Sequence, residues 1–170
     1  RHDGLLFRGA VAVCRYHGTG AEVVKALKFG RDLRALEVMG PLLAERAAGA
    51  AFAGGIDVVT PVPLHWARRL ARRFNQSELL AERVAERLRA GFEPKAMKRL
   101  RYTTPQAMLS GREREENLRG AFAVRDRAGV AGARVLLVDD VMTTCATARE
   151  CARALLEAGA RSVDVAVFAR

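Results

Sequence analysis

Apolar positions in the last third of the chain follow two alternating rhythms. Val135-Leu136-Leu137-Val138 is an unbroken apolar run between Gly132 and Asp139, which predicts a strand buried on both faces. Val163, Val165 and Val167 alternate within Ser162 to Phe168 and predict a second strand. Between them, Ala146 to Ala158 has helical spacing and ends at Gly159. Earlier segments repeat the theme. Leu5 to Tyr16 is rich in strand formers, and His17-Gly18-Thr19-Gly20 breaks it. Val23, Val24 and Leu27 predict a helix over 21–28, and a second is expected over 33–50, interrupted near Gly40-Pro41. Asp57 to Thr60 predicts a buried strand closed by Pro61 and Pro63. A helix is predicted over 66–90, with Leu79, Leu80, Val84 and Leu88 inward and Glu82, Arg83, Glu86 and Arg87 outward. Lys95 to Arg101 suits another strand, Ala121 to Val124 is ambiguous, and Tyr102 to Glu116 is too polar for a core. The alternation predicts an α/β fold, a central, mostly parallel sheet flanked by helices.

The 170 residues suit one domain, 1–170, and half of them are hydrophobic, enough to bury a core. The charge adds chemistry to this outline. The chain carries 29 basic and 19 acidic residues, a net charge of +10, and 25 of the basic residues are arginine. The guanidinium fork matches phosphate, so anionic partners are expected, although a GC-rich genome would leave the same bias. Cys14, Cys145 and Cys151 form no Cys-x-x-Cys pair, which argues against a disulfide framework or a structural zinc. His2, His17 and His65 lack metal-ligand spacing. No apolar run approaches the roughly 18 residues that span a bilayer, and no signal peptide is recognisable, so a cytoplasmic location is expected.

Most of the information lies in RVLLVDDVMTTCAT, residues 134–147. A buried strand leads to adjacent carboxylates, and a loop of small hydroxyl residues then opens a helix. Ligands of open parallel sheets bind beyond the carboxyl ends of the strands. Loop amides at a helix N-terminus hold phosphate, because they are unpaired and the dipole favours negative charge. Asp139 and Asp140 cannot favour phosphate; they suit sugar hydroxyls or a hydrated magnesium ion, and both are expected at the exposed end of the strand. A surface turn capped by Asp139 would need neither a second acid nor the threonines. A phospho-receiver site would need a lysine on a later strand, and none follows Asp140.

This run resembles the phosphoribosyl-pyrophosphate (PRPP) signature of type I phosphoribosyltransferases. The resemblance implies that Asp139 and Asp140, the candidate catalytic pair, contact the ribose 2′- and 3′-hydroxyls. Thr143, Thr144, Cys145, Ala146 and Thr147 would wrap the 5′-phosphate. Magnesium would arrive with the diphosphate, held by substrate oxygens and by no direct protein ligand. Pro61-Val62-Pro63-Leu64-His65, then Arg72-Arg73-Phe74-Asn75-Gln76, resemble the competence protein F branch of that family. So does the spacing of Arg101, Thr104, Gln106, Leu109, Arg114, Asn117 and Phe122. The likeness extends over about 5–170. It implies a small hood built partly from residues 1–55, a core over 56–170, and a flexible loop. Proteins of this branch usually begin with a cysteine-rich zinc module, absent here, so the chain is expected to be the transferase-like part of a longer product. Arg73 and Cys145 stand where glycines are usual.

Arg68, Arg69, Arg72 and Arg73 put four charges within six residues. A solvated helix face accounts for the first two. Pro63, Leu64, His65, Arg72 and Arg73 are candidate diphosphate contacts, and Arg112 and Arg114 are candidate lid residues within 102–116. Polar Asn75 and Gln76 interrupt an apolar helix face at one place, which favours function there. Two functions are expected to compete. One is a PRPP- or ribose-phosphate-binding protein that transfers phosphoribosyl to a nitrogenous acceptor. The other is a non-enzymatic competence factor that binds single-stranded DNA through arginines.

Overall fold

The computed structural model describes residues 6–27, 34–64, 75–101 and 117–170. Five strands form one parallel sheet: β1 (Ala10–Cys14), β2 (Val58–Pro61), β3 (Gly91–Phe92), β6 (Arg134–Val141) and β7 (Ser162–Ala169), in the order β1-β7-β6-β2-β3. β4 (Met97–Arg99) and β5 (Phe122–Val124) make a separate antiparallel pair. The helices are α1 (Gly18–Lys25), α2 (Arg34–Ala48), α3 (Gln76–Leu88) and α4 (Ala146–Glu157). This is the α/β architecture of a parallel sheet flanked by helices.

β6 lies at the centre, paired with β7 through Val135–Val163 and Leu137–Val165 and with β2 through Val59–Leu136 and Pro61–Val138. All eight residues of β7 are buried. The Val163, Val165, Val167 alternation therefore sorts side chains between two cores rather than between core and water. The valines join Val135 and Leu137 beneath α4, whereas Ala166 and Phe168 join Leu136 and Val138 beneath α1, α2 and α3. Asp164 is the buried charged residue on β7, and Arg8 Nη2 donates to its Oδ2 at 2.6 Å.

The structure departs from the sequence pattern in several places. β6 continues through Asp139 and Asp140 to Val141, so the acidic pair lies within the strand rather than after it. β1 is confined to five residues at the sheet edge. α1 starts at Gly18, inside the expected break. Gly20 allows this: a Cβ there would lie 2.7 Å from Cys14 Sγ and 2.8 Å from the Arg15 carbonyl. β3, only two residues long, has no periodicity to reveal it. Residues 66–74 of the helix expected over 66–90 lie outside the described residues, and α3 begins at Gln76.

α2 runs unbroken through Gly40 and Pro41. Packing outweighs the proline, because Met39, Leu43, Ala44 and Ala47 are buried on the face that meets α3 and the sheet. Gly40 serves the same approach, since a Cβ there would lie 3.2 Å from Arg83 Cγ. On the outer side, Arg87 clamps Glu45 with Nε and Nη2 at 2.6 and 3.2 Å, tying α3 to α2. Pro41 itself is exposed and cannot donate to a preceding carbonyl. Pro41→Ala should therefore stabilise the protein by about 2 kcal/mol, the helical gain of roughly 3 being partly offset by a freer unfolded chain. Urea denaturation checks this, and an unchanged midpoint would mean that the helix is bent to suit the proline.

Candidate functional site

The chain leaves β2 and β6 towards opposite faces of the sheet. α3 follows β2 and buries Leu80, Ala81 and Val84 against Val59, Leu136 and Val138. α4 buries Cys151, Ala152 and Leu155 on the other face, with Val135, Leu137 and Val165. Neighbouring strands whose connections diverge leave a crevice beyond their carboxyl ends, the usual ligand position in open α/β sheets. The acidic pair and the ends of both helices meet here.

Asp139 is half-buried and Asp140 is buried at 6% exposure, so the expectation that both stand exposed is corrected. The strand continues past them, which places Asp140 under cover. Asp139 Oδ1 accepts two hydrogen bonds, from the Asp140 amide at 2.9 Å and from the Ser77 hydroxyl at 2.8 Å. On α4, burial pushes the Cys151 thiol well up, and the nearby Asp139 charge adds to the shift. Asp139 thus sits between the two helices and is ionisable, directed and partly open to solvent.

Next come Met142, whose amide donates to the Ala169 carbonyl at 3.0 Å, then exposed Thr143 and half-buried Thr144. Cys145 precedes α4 with φ 61° and ψ −1°, the left-handed conformation that glycine adopts without strain. Its side chain gives the helix no cap and packs instead against the core. Its carbonyl accepts the Arg149 amide at 2.8 Å, the first bond of the helix. No acidic residue occupies the first turn. Buried Ala146 and half-buried Thr147 complete a loop whose leading amides have no intrahelical acceptor, the arrangement that holds an anion.

On the β2 side, Val62 donates its amide to the Val138 carbonyl at 2.9 Å, and its own carbonyl accepts Asn75 Nδ2 at 3.2 Å. Pro63 and Leu64 follow, both half-buried. His65, Arg72, Arg73, Arg112 and Arg114 lie outside the described residues, as do Arg68 and Arg69. Asn75, Gln76 and Ser77 are all buried at the tip of the α3 face that continues through Leu80, Ala81, Val84 and Ala85. The polar interruption seen in sequence is therefore internal and lies at the crevice. Ser77 was not singled out by sequence reasoning. Its signal was position: a small hydroxyl residue four before Ala81 on the buried stripe.

Among the described residues, no three His, Cys, Asp or Glu side chains form a metal-ligand set. Two open clefts lie on the β1 side: one of about 610 Å³ along Ala12–Tyr16, one of about 360 Å³ touching Met142 and Cys145. The described lining of neither includes Asp139 or Asp140, so the crevice rests on topology and side-chain chemistry rather than on a deep cavity. On the hairpin, Arg99 lies 5.2 Å over the Phe122 ring.

Residues 64–170 match the family model described as "Phosphoribosyl transferase domain". The chain is 37% identical over 159 residues to "DNA utilization protein YhgH" of Salmonella typhi, covering 91% of this chain and 69% of that protein. It is 33% identical over 115 residues to "Competence protein F" of Haemophilus influenzae, covering 67% of this chain and 50% of that protein. A similar solved structure is the allosteric regulatory enzyme of purine biosynthesis, with a TM-score of 0.51 and 29% identity. That match covers 76% of this chain but spans only 24% of that enzyme.

Two non-glycine residues among those described have positive φ, Cys145 and Arg89, the latter at the end of α3 with φ 55°. Replacing either by glycine should relieve about 1 kcal/mol of backbone strain, measured by urea denaturation. Cys145→Gly should also tighten inorganic phosphate up to about tenfold by calorimetry, equivalent to 1.4 kcal/mol, while Arg89→Gly leaves it unchanged. Equal or weaker phosphate binding by Cys145→Gly would mean that the loop is adapted to cysteine.

Proposed function

The chain belongs to the phosphoribosyl transferase domain family, in its competence protein F branch, and we propose that it binds PRPP or a related ribose 5-phosphate in the crevice between β2 and β6. One observation carries the reading: the carboxylate of Asp139, held by Ser77 and followed by Asp140, lies shortly before a hydroxyl-rich loop that leads into an uncapped helix N-terminus. The first suits sugar hydroxyls and the second suits phosphate. Asp139 and Asp140 accept from the ribose 2′- and 3′-hydroxyls, and the amides and hydroxyls of 143–147 hold the 5′-phosphate. From the family resemblance, Pro63, Leu64 and His65 would contact the diphosphate, with Arg72 and Arg73 as its cationic partners. Magnesium fits as a substrate-borne ion that neutralises diphosphate oxygens.

Transfer would proceed by attack of an acceptor nitrogen on C1 of the ribose. The C1–O bond breaks, its electron pair leaves with pyrophosphate, and the nitrogen sheds a proton. The protein orients the sugar and offsets charge on the leaving group. The 102–116 segment, through Arg112 and Arg114, would exclude water that otherwise hydrolyses the activated sugar.

Asp139→Asn tests the site more cleanly than a double variant, because buried Asp140 also carries structural risk. Calorimetry should show ribose 5-phosphate affinity falling at least tenfold, with inorganic phosphate bound no more weakly. An unchanged ribose 5-phosphate affinity would overturn the assignment.

A second reading is favoured by the net charge of +10 and by the names of the relatives, one for DNA utilization and one for competence. In it, single-stranded DNA binds through arginines. The logarithm of affinity should then fall linearly with that of salt, at about −0.7 per phosphate contacted. Replacing Arg68, Arg69, Arg72 and Arg73 with alanine should flatten the slope. A steep slope that survives the replacement would place the DNA surface elsewhere.

A further inference from the structure

We infer that Ser77 is a positioning residue for Asp139, holding the direction of the carboxylate that receives the sugar hydroxyls; this rests on the ribose-phosphate reading above. Ser77 is the second residue of α3 and is buried in line with Ala81 and Ala85. A serine this early in a helix commonly serves the helix's own amides. Here the hydroxyl instead reaches a residue 62 positions later, donating to Asp139 Oδ1 at 2.8 Å. The Asp140 amide donates to the same oxygen at 2.9 Å. Two donors of separate origin on Oδ1 resist rotation of the carboxyl group, and the direction of Oδ2 is set with it. Loss of one of these two donors would leave that rotation freer.

The same helix tip also fastens the β2 side of the crevice. Asn75 donates to the Val62 carbonyl, and the Val62 amide donates to the Val138 carbonyl, one residue before Asp139. Val138, Val62, Asn75, Ser77 and Asp139 therefore close a ring of hydrogen bonds and short chain segments. A shift of the 62–64 segment is transmitted through α3 to Asp139. Ser77 is the member of the ring whose loss would remove a donor from the carboxylate while sparing the backbone bonds.

A double-mutant cycle with Ser77→Ala and Asp139→Asn separates positioning from simple packing. Each protein is titrated with ribose 5-phosphate and, separately, with inorganic phosphate. Ser77→Ala should weaken ribose 5-phosphate about tenfold, leave inorganic phosphate unchanged, and have no further effect once Asp139 is asparagine. Equal weakening of both ligands, a full Ser77→Ala effect in the Asp139→Asn background, or no effect at all would overturn the inference. If the unaltered protein takes up inorganic phosphate but no ribose 5-phosphate, the ribose reading fails by itself. Ser77 is then judged by a carbon-13 titration of the Asp139 carboxyl. Loss of a donor to the ionised form should raise its midpoint in Ser77→Ala. An unmoved midpoint would show that Ser77 does not govern this carboxylate.

Discussion

The site depends on a divergence between adjacent strands. β2 and β6 are parallel neighbours, yet their helices leave towards opposite faces, α3 to one core and α4 to the other. Both faces of the sheet are covered, so the polar groups at the strand ends can meet solvent or ligand chiefly where the covering layers part. Asp139, the 143–147 loop and the Pro63-Leu64 segment are held together by that topology, not by closeness in sequence. The ring through Val62, Asn75 and Ser77 then reduces the remaining freedom at the crevice from side-chain rotation to a defined direction.

Three positions break local rules, and comparing them separates structure from function. Pro41 sits inside α2 because the buried face of that helix is worth more than one missing hydrogen bond. Arg89 takes a left-handed conformation to end α3, where the Ala90 amide closes back on the Ala85 carbonyl at 3.1 Å. Gly159 does the same after α4 with φ +101°, without the Cβ penalty. Cys145 differs in placement: its left-handed turn opens a helix at the crevice. A left-handed turn placed there belongs to the backbone arrangements whose successive amides suit an anion.

Much of this was legible in the chain. The run Val135 to Val138 and the Gly159 stop mark β6 and α4 because burial on both faces and a left-handed exit each leave a residue signature. The acidic pair and the threonines marked the candidate site in the same way, through residue types in a particular order. What stayed hidden depends on three-dimensional neighbours. Nothing local to Asp140 says that its strand runs on and buries it, and β3 owes its existence to pairing with β2. Ser77 looks like any helix-start serine until α3 is docked on β6. Likewise, Gly40-Pro41 reads as a break unless the closeness of α2 to α3 is known.

The acidic pair also weighs the two functional readings against each other. A chain with net charge +10 that bound phosphates alone would gain nothing from two carboxylates at the centre of its crevice. A phosphate about 5 Å from one carboxylate would meet a repulsion on the order of 3 kcal/mol at an effective dielectric near 20. That penalty is offset where the ligand presents hydroxyl donors to the carboxylates and is reduced where its phosphates lie farther off. A ribose with free 2′- and 3′-hydroxyls, phosphorylated at C5, has this layout. Single-stranded DNA lacks the 2′-hydroxyl, and its 3′-oxygen is esterified within the strand, so it offers Asp139 and Asp140 no such donors. Its binding would have to run along the arginines and avoid the pair. The carboxylates thus support a ribose phosphate at the crevice even if nucleic acid is held elsewhere on the same surface.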